Sequence, residues 1–259
     1  IEMSSFQANR APEFFAERYG AGRVLIGSGL PMRSGGAARG MVDWSLLDEE
    51  SVARIAGKNL AGYLKTPMPK PLPVPANADV LVREARAGKP LSMMVLDAHC
   101  HVLDDGLNGA GNHYVMIKGD SLSMLELTHR MGIDVTAMMS WSGTVSMDVV
   151  AGNTQIEAIV RRSPEEILGL SSADPTHQSP EEIRAVCEHY HGRVGFRGLK
   201  PYTRNDVPYN DPRYDDYWTY ANAHRLYGLL HTASNLGGMP AVRDLPRRFP
   251  PVTFLAAHT

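Results

Sequence analysis

Short apolar runs alternate along this chain with segments whose apolar residues recur every three to four positions. Ile1–Ser5 and Arg23–Ile26 read as strands, and Ala11–Tyr19 between them reads as a helix. Pro12 sits in its first turn, where a missing N–H costs nothing, and Gly20 stops it. Asp48–Leu64 reads as a second helix, capped by Asp48, with Val52, Ile55, Leu60 and Leu64 on one face. Pro67, Pro69, Pro71, Pro73 and Pro75 then alternate. They forbid helix and favour an extended polyproline II connector over a motif for a proline-binding domain. A short helix over Asn77–Ala87 follows.

Met93–Leu96 is a compact apolar run, expected to be a strand buried on both faces. It leads into Asp97, His99 and His101, which strand alternation turns to one side while Cys100 faces the other. Beyond it the pattern predicts helices over Ser121–Met131, Asn153–Arg162, Pro180–Tyr190 (capped by Ser179) and Tyr214–Leu226. Strands are predicted at Asp134–Met139, Ile167–Ser171, Gly195–Lys200, Gly228–His231 and Val252–His258. Eight strand candidates with helices between most of them argue for a parallel α/β architecture, a (β/α)8 barrel. An open doubly wound sheet is the alternative, weakened by the lack of a Gly-rich dinucleotide fingerprint after any strand.

Composition narrows the function. The chain has 259 residues, 43% hydrophobic and 21% charged, with a net charge of −2, enough for one large barrel or two small domains. A near-neutral balance argues against nucleic-acid or polybasic membrane partners. No apolar run approaches the ~20 residues that cross a bilayer. Cys100 and Cys187 make no disulfide framework, so a reducing, cytoplasmic setting is expected.

The chemistry gathers where strands end. The strand after Met93 carries His99 and His101, Gly195–Lys200 ends in Lys200, Gly228–His231 ends in His231, and Val252–His258 ends in His258. One histidine closing a strand is ordinarily a satisfied core residue. Three separate strands ending this way point to a metal site at the carboxyl face of a barrel, with Asp97 able to orient a ring.

The His-x-His strand, the Gly-Leu-Lys strand and the two later strand-end histidines resemble the amidohydrolase superfamily. Within it they are most similar to the branch of aminocarboxymuconate-semialdehyde decarboxylase and related hydrolases. That resemblance implies a (β/α)8 TIM barrel of the metal-dependent hydrolase type holding one divalent ion, zinc first and manganese as the alternative. It makes His99, His101 and His231 the metal ligands, and His258 the residue that positions water or substrate. Lys200 becomes a substrate contact. Glu17–Gly20 with Arg23–Ser28 also resembles the family's seventh-to-eighth-strand connection, and Ile55–Leu64 its closing helix. Strands seven and eight thus precede strands one to six. The expected segments are 1–64 for strands seven and eight, 65–90 for the proline-rich linker and short helix, and 91–259 for strands one to six. Ile1–Ser5 is then expected beside Val252–Ala257, and Arg23–Ile26 beside Met93–Leu96. The partner strand can belong to the same chain, to a second copy in a homodimer, or to a tandem barrel.

One position departs from the family. Its eighth strand normally ends in an Asp that binds metal and takes a proton from water, and Gly29 stands there. The expected base is therefore His258, with Asp97 behind it. The expected activity is metal-dependent hydrolysis of a small carboxylate-bearing substrate, whose anionic group Lys200 and Arg204 would hold. Arg204 reads equally as a solvated loop residue. The alternatives are non-oxidative decarboxylation and a degenerate, non-catalytic module. The loop Asp104–Lys118, containing His113, is long enough for a lid. His129, His177, His189, His191 and His224 are expected at the surface, Cys187 in the core, and Trp141 either lining the pocket or packing the rim.

Overall fold

The computed structural model describes all residues except 7, 32, 34, 69, 71, 90, 104–118, 202–206, 233–237 and 259. The chain divides into two units, Ile1–Met94 with Asp104–Gly132, and Val95–Leu103 with Ile133–Thr259.

In the first unit, α1 (Ala11–Tyr19), α2 (Gly35–Asp43), α3 (Glu49–Ala53), α4 (Asn59–Leu64), α5 (Val80–Arg86) and α6 (Ser121–Met131) follow one another. Met3, Val24, Val42 and Ile55 form the small core. The Asp48 carboxylate caps α3 by accepting the Ser51 N–H at 2.9 Å, as its position before an apolar run predicts. The expected single helix to Leu64 is interrupted by a π-helical turn, Arg54–Lys58. The strand expected at Ile1–Ser5 reduces to one parallel bridge, Glu2 to Leu25, and Arg23 closes a 3-10 turn. The Asn59 side chain explains why the backbone holds this shape: its amide donates to Ala21 O at 2.8 Å and Val24 O at 2.9 Å. Helix α2 was not expected; buried Ala38 and Val42 anchor it.

The second unit is a parallel sheet of β1 (Leu96–Val102), β2 (Val135–Ser140), β3 (Ile167–Ser171), β4 (Gly198–Leu199), β5 (Tyr227–His231) and β6 (Thr253–Ala257), in sequence order. Helices α7 (Trp141–Val145), α8 (Val149–Arg162), α9 (Pro180–Cys187), α10 (Asp215–His224) and α11 (Gly238–Arg248) alternate with the later strands. The ladder of described residues holds these six strands, and the Glu2–Leu25 bridge lies outside it. A flat sheet of six strands would hold its outermost pair about 24 Å apart at the usual strand spacing. Yet His99 on β1 and His258 just beyond β6 bring their ring centroids to 5.0 Å. The sheet therefore curls through a half-barrel, with its first and last strands converging at their carboxyl ends.

Two strand expectations change in detail. Met93 and Met94 are exposed and precede β1, and Leu96 is 56% exposed, so the apolar run is not buried on both faces. Strand β4 pairs over two residues only, with Lys200 following it; the Lys200 N–H nonetheless donates to Ser171 O at 2.7 Å.

The main core cluster packs around α10, whose Trp218 and Tyr217 are fully buried beside Tyr214 and Leu230. Next to it lies His191, which was expected at the surface and is instead 9% exposed. Its Nδ1–H donates to Phe196 O at 3.1 Å, so Nε2 is the acceptor for the Ser171 hydroxyl at 2.8 Å. Burial drives its pKa down to about 4, helped by His224 and opposed by the Phe196 carbonyl. In the unfolded chain the same ring takes its proton near the ordinary 6.5. Between those limits the unfolded state binds more protons. Stability is thus complete above pH 6.5, falls as the pH drops toward 4 and levels off below it. The full loss is about 3 kcal/mol. Urea midpoints of the protein and of His191→Gln, taken from pH 7.5 to 4.5, should show a shallower pH dependence in the variant; equal slopes would refute this.

Candidate metal centre

His101 is turned away from Cys100 and Val102, which are buried on the other face of β1, but the ladder shifts register between Asp97 and Cys100, so the simple alternation expected from Asp97 onward is broken. Four imidazoles then form a connected arc within this unit. The ring of His101 lies 5.1 Å from that of His99, His99 is 5.0 Å from His258, and His258 is 4.8 Å from His231. They come from the carboxyl ends of β1, β5 and β6, as the sequence placed them. Among the described residues no three donors stand at the mutual distances of a closed coordination shell.

The residues were tested for fit to a divalent ion by their own geometry. The Nε2 atoms of His99 and His101 face each other at 3.2 Å. Two nitrogens bound to one tetrahedral zinc at 2.0–2.1 Å stand about 3.3 Å apart. The spacing of the pair is therefore that of two ligands on one such ion. Only one of the two facing nitrogens can carry a proton in this contact. His101 Nδ1 is buried and has no hydrogen-bond partner, whichever tautomer is chosen. The donor set also fits in charge. Burial first, then Lys200, His258 and His231, hold His99 down to about 4. His101 is driven well below its usual value by the same causes, burial foremost. Both rings are neutral at physiological pH, the form that binds a cation.

Lys200 is 1% exposed, and its ammonium has no hydrogen-bond partner among the described residues. Burial brings its pKa down to about 8. Its charge lowers the pKa of His99, His101 and His258, which places it electrostatically among the rings. Trp141, 8% exposed, meets the His101 ring edge-on at 5.2 Å. His258 is more open, and its backbone takes φ of 66°, a left-handed conformation uncommon outside glycine and typical of functional positions.

Asp97 does not orient a ring: its carboxylate accepts the main-chain N–H of His99 at 2.9 Å. Gly29 adopts φ of 63°, and a Cβ there would meet Arg33 and Ser4 side chains at 3.3–3.4 Å. This backbone suits a turn rather than the strand end where the family carries its Asp. Arg204, His113 and the loop Asp104–Lys118 lie outside the described residues. Of the other histidines, His177 contacts Asp174 at 2.6 Å and His189 contacts Glu157 at 2.8 Å, while His224 stacks on Tyr220 at 4.2 Å. Cys187 is buried as expected.

No family model and no curated protein matches the chain. Solved structures do resemble it. The 2,6-dihydroxybenzoate decarboxylase from Rhizobium is 12% identical over 63% of this chain and 66% of that one, with a TM-score of 0.46. The 5-carboxyvanillate decarboxylase from Sphingomonas paucimobilis is 16% identical over 64% and 67%, with a TM-score of 0.46. That from Novosphingobium aromaticivorans, complexed with manganese and a nitrobenzoic acid, is 11% identical over 64% and 65%, with a TM-score of 0.48. The chain thus spans about two thirds of the length of the structures it resembles. All three are named as decarboxylases.

Proposed function

We propose that the chain is a metal-dependent hydrolase or non-oxidative decarboxylase acting on a small carboxylate-bearing substrate. The observation that carries this reading is the facing Nε2 pair of His99 and His101 at 3.2 Å, continued by His258 and His231. His99, His101 and His231 would hold one divalent ion, zinc or manganese. When bound, such an ion supplies Lewis acidity, polarising a carbonyl and bringing the pKa of water to about 7. The remaining steps belong to the chain. Three neutral imidazoles contribute no negative charge, and the buried Lys200 ammonium has no hydrogen-bond partner among the described residues, which favours an anionic substrate. Lys200 pairs with the substrate carboxylate, and an approaching anion restores the proton that burial loosens. His258, open to solvent and lowered in pKa by burial and then by Lys200, is free to take and return a proton. Trp141 and the buried strand ends exclude water from the His101 side.

Turnover of metal-loaded protein on small aromatic and aliphatic carboxylates tests the reading, with carbon dioxide release separating decarboxylation from proton-releasing hydrolysis. Activity should depend on metal and vanish in Lys200→Met. Stoichiometric metal without turnover would instead support the non-catalytic module, which Gly29 favours. An independent expectation follows for the field of Lys200: in Lys200→Met, His99 should titrate above about 4, because a neighbouring positive charge is gone. Histidine proton shifts followed by NMR will show this, and an unmoved His99 would remove Lys200 from the site.

We also infer that the Glu2–Leu25 pair supplies the seventh and eighth strands of a (β/α)8 barrel begun by β1–β6, with 65–90 as linker. It rests on the resemblance of 1–64 to the family's closing segment and on the parallel sense of that bridge. A disulfide formed between Leu25→Cys and Leu96→Cys would support it, and no cross-link within or between chains would count against it.

A further inference from the structure

His258 joins the arc of rings from a position whose strand parity points elsewhere. On β6, Leu255 and Ala257 pack with Leu229, Leu170 and Met139 on one face of the sheet. His231 lies two residues beyond Leu229 on β5, so it shares that face. His258 comes one residue after Ala257, and an extended backbone would turn its side chain to the opposite face. Its ring nonetheless stands 4.8 Å from His231 and 5.0 Å from His99. The φ of 66° accounts for this, because a left-handed residue breaks the alternation of the strand.

A residue with a Cβ holds such a φ only where its surroundings offset the strain. Thr232, buried just after His231, supplies the offset. Its hydroxyl donates to Ala257 O at 2.6 Å, and its main-chain N–H donates to the same oxygen at 3.0 Å. That carbonyl belongs to the peptide that carries the His258 nitrogen, and the φ of His258 is measured from its plane. Any residue but proline could give the N–H bond, whereas the hydroxyl is particular to this position. Behind it, the hydroxyl of fully buried Tyr209 donates to His231 O at 3.0 Å and holds the peptide that leads into Thr232. We propose that Thr232 is a positioning residue for His258: its hydroxyl fixes the Ala257–His258 peptide so that the left-handed turn brings the ring to His231 and His99. Its importance for catalysis rests on His258 being the proton-transfer group of the proposed function.

The test is NMR of the full, metal-free chain with labelled histidine. At positive φ the amide and α protons of one residue lie close together, which gives His258 a strong cross-peak between them, and its ring should show cross-peaks to that of His231. Thr232→Val keeps shape and N–H but removes the hydroxyl. The ratio of turned to extended His258, read from that cross-peak and from the Cα shift, should fall about 5-fold, the worth of one hydrogen bond. Thr232→Ser restores the donor and should return the ratio to within about twofold. Ile183→Val, which loosens the main core cluster away from Ala257, should leave it unchanged. An unmoved ratio in Thr232→Val, no recovery in Thr232→Ser, or an equal fall in Ile183→Val would each overturn the proposal. No turnover enters this readout, so the proposed function fails separately, on inactivity toward carboxylates.

Discussion

Replacing His101 by alanine is expected to lower the affinity for Zn2+ or Mn2+ by about two orders of magnitude or more. Loss of a supporting partner alone typically costs roughly 10–100-fold, and here a nitrogen that would touch the ion is removed. Geometry dictates the choice. His101 Nε2 stands 3.2 Å from His99 Nε2, so its loss removes one of two nitrogens whose spacing matches a pair of ligands on one ion. His99→Ala should match it, and His231→Ala should also abolish stoichiometric metal. His129→Ala, altering an exposed histidine at the end of α6, should leave metal content unchanged. Calorimetric titration and elemental analysis of the four variants decide the matter. If His101→Ala binds metal as His129→Ala does, the wrong imidazoles have been assigned.

Replacing Trp218 by alanine should destabilise the second unit by about 3–5 kcal/mol. The side chain is completely buried, its indole N–H donates to Tyr209 O at 2.7 Å, and its ring meets Phe254 edge-on at 5.3 Å. Alanine would leave a cavity and also remove the hydrogen bond to the Tyr209 carbonyl. Domains are stable by only about 5–15 kcal/mol in total, so this one change can consume most of the margin. Urea unfolding followed by circular dichroism should show a midpoint far below that of the unmodified protein. A shift of a few tenths of a kcal/mol would mean that the α10 packing has been misjudged.

What could be read before any coordinates were at hand depended on local periodicity. His99 and His101 were legible because a strand repeats every two residues, and apolar runs before Lys200, His231 and His258 marked strand ends. That these ends converge is a property of sheet curvature, which no local pattern encodes. His191 shows the limit. Just past the end of an expected helix it looked like a surface histidine, and its partners Ser171 and Phe196 come from β3 and the approach to β4. Helix α11 was missed for a different reason: Pro246 lies inside it, which normally forbids a helix interior, and tertiary packing of Ala241 and Leu245 overrides that preference. Asp97 was assigned by proximity to the rings, but a carboxylate two residues from a backbone N–H finds that partner first.

The strand order carries a kinetic consequence. Every strand of the second unit pairs with its neighbour in sequence, so the ladder can grow one βα step at a time, each step closing only a modest loop. The contact between His99 and His258 is different: it joins the two ends of the ladder and can form only when all six strands are in place. An ion or substrate held between those rings would act as a clasp on the seam, drawing its binding energy into the folding equilibrium of the whole sheet. Refolding in its presence should therefore leave the early steps unchanged and slow the first opening event on the way out.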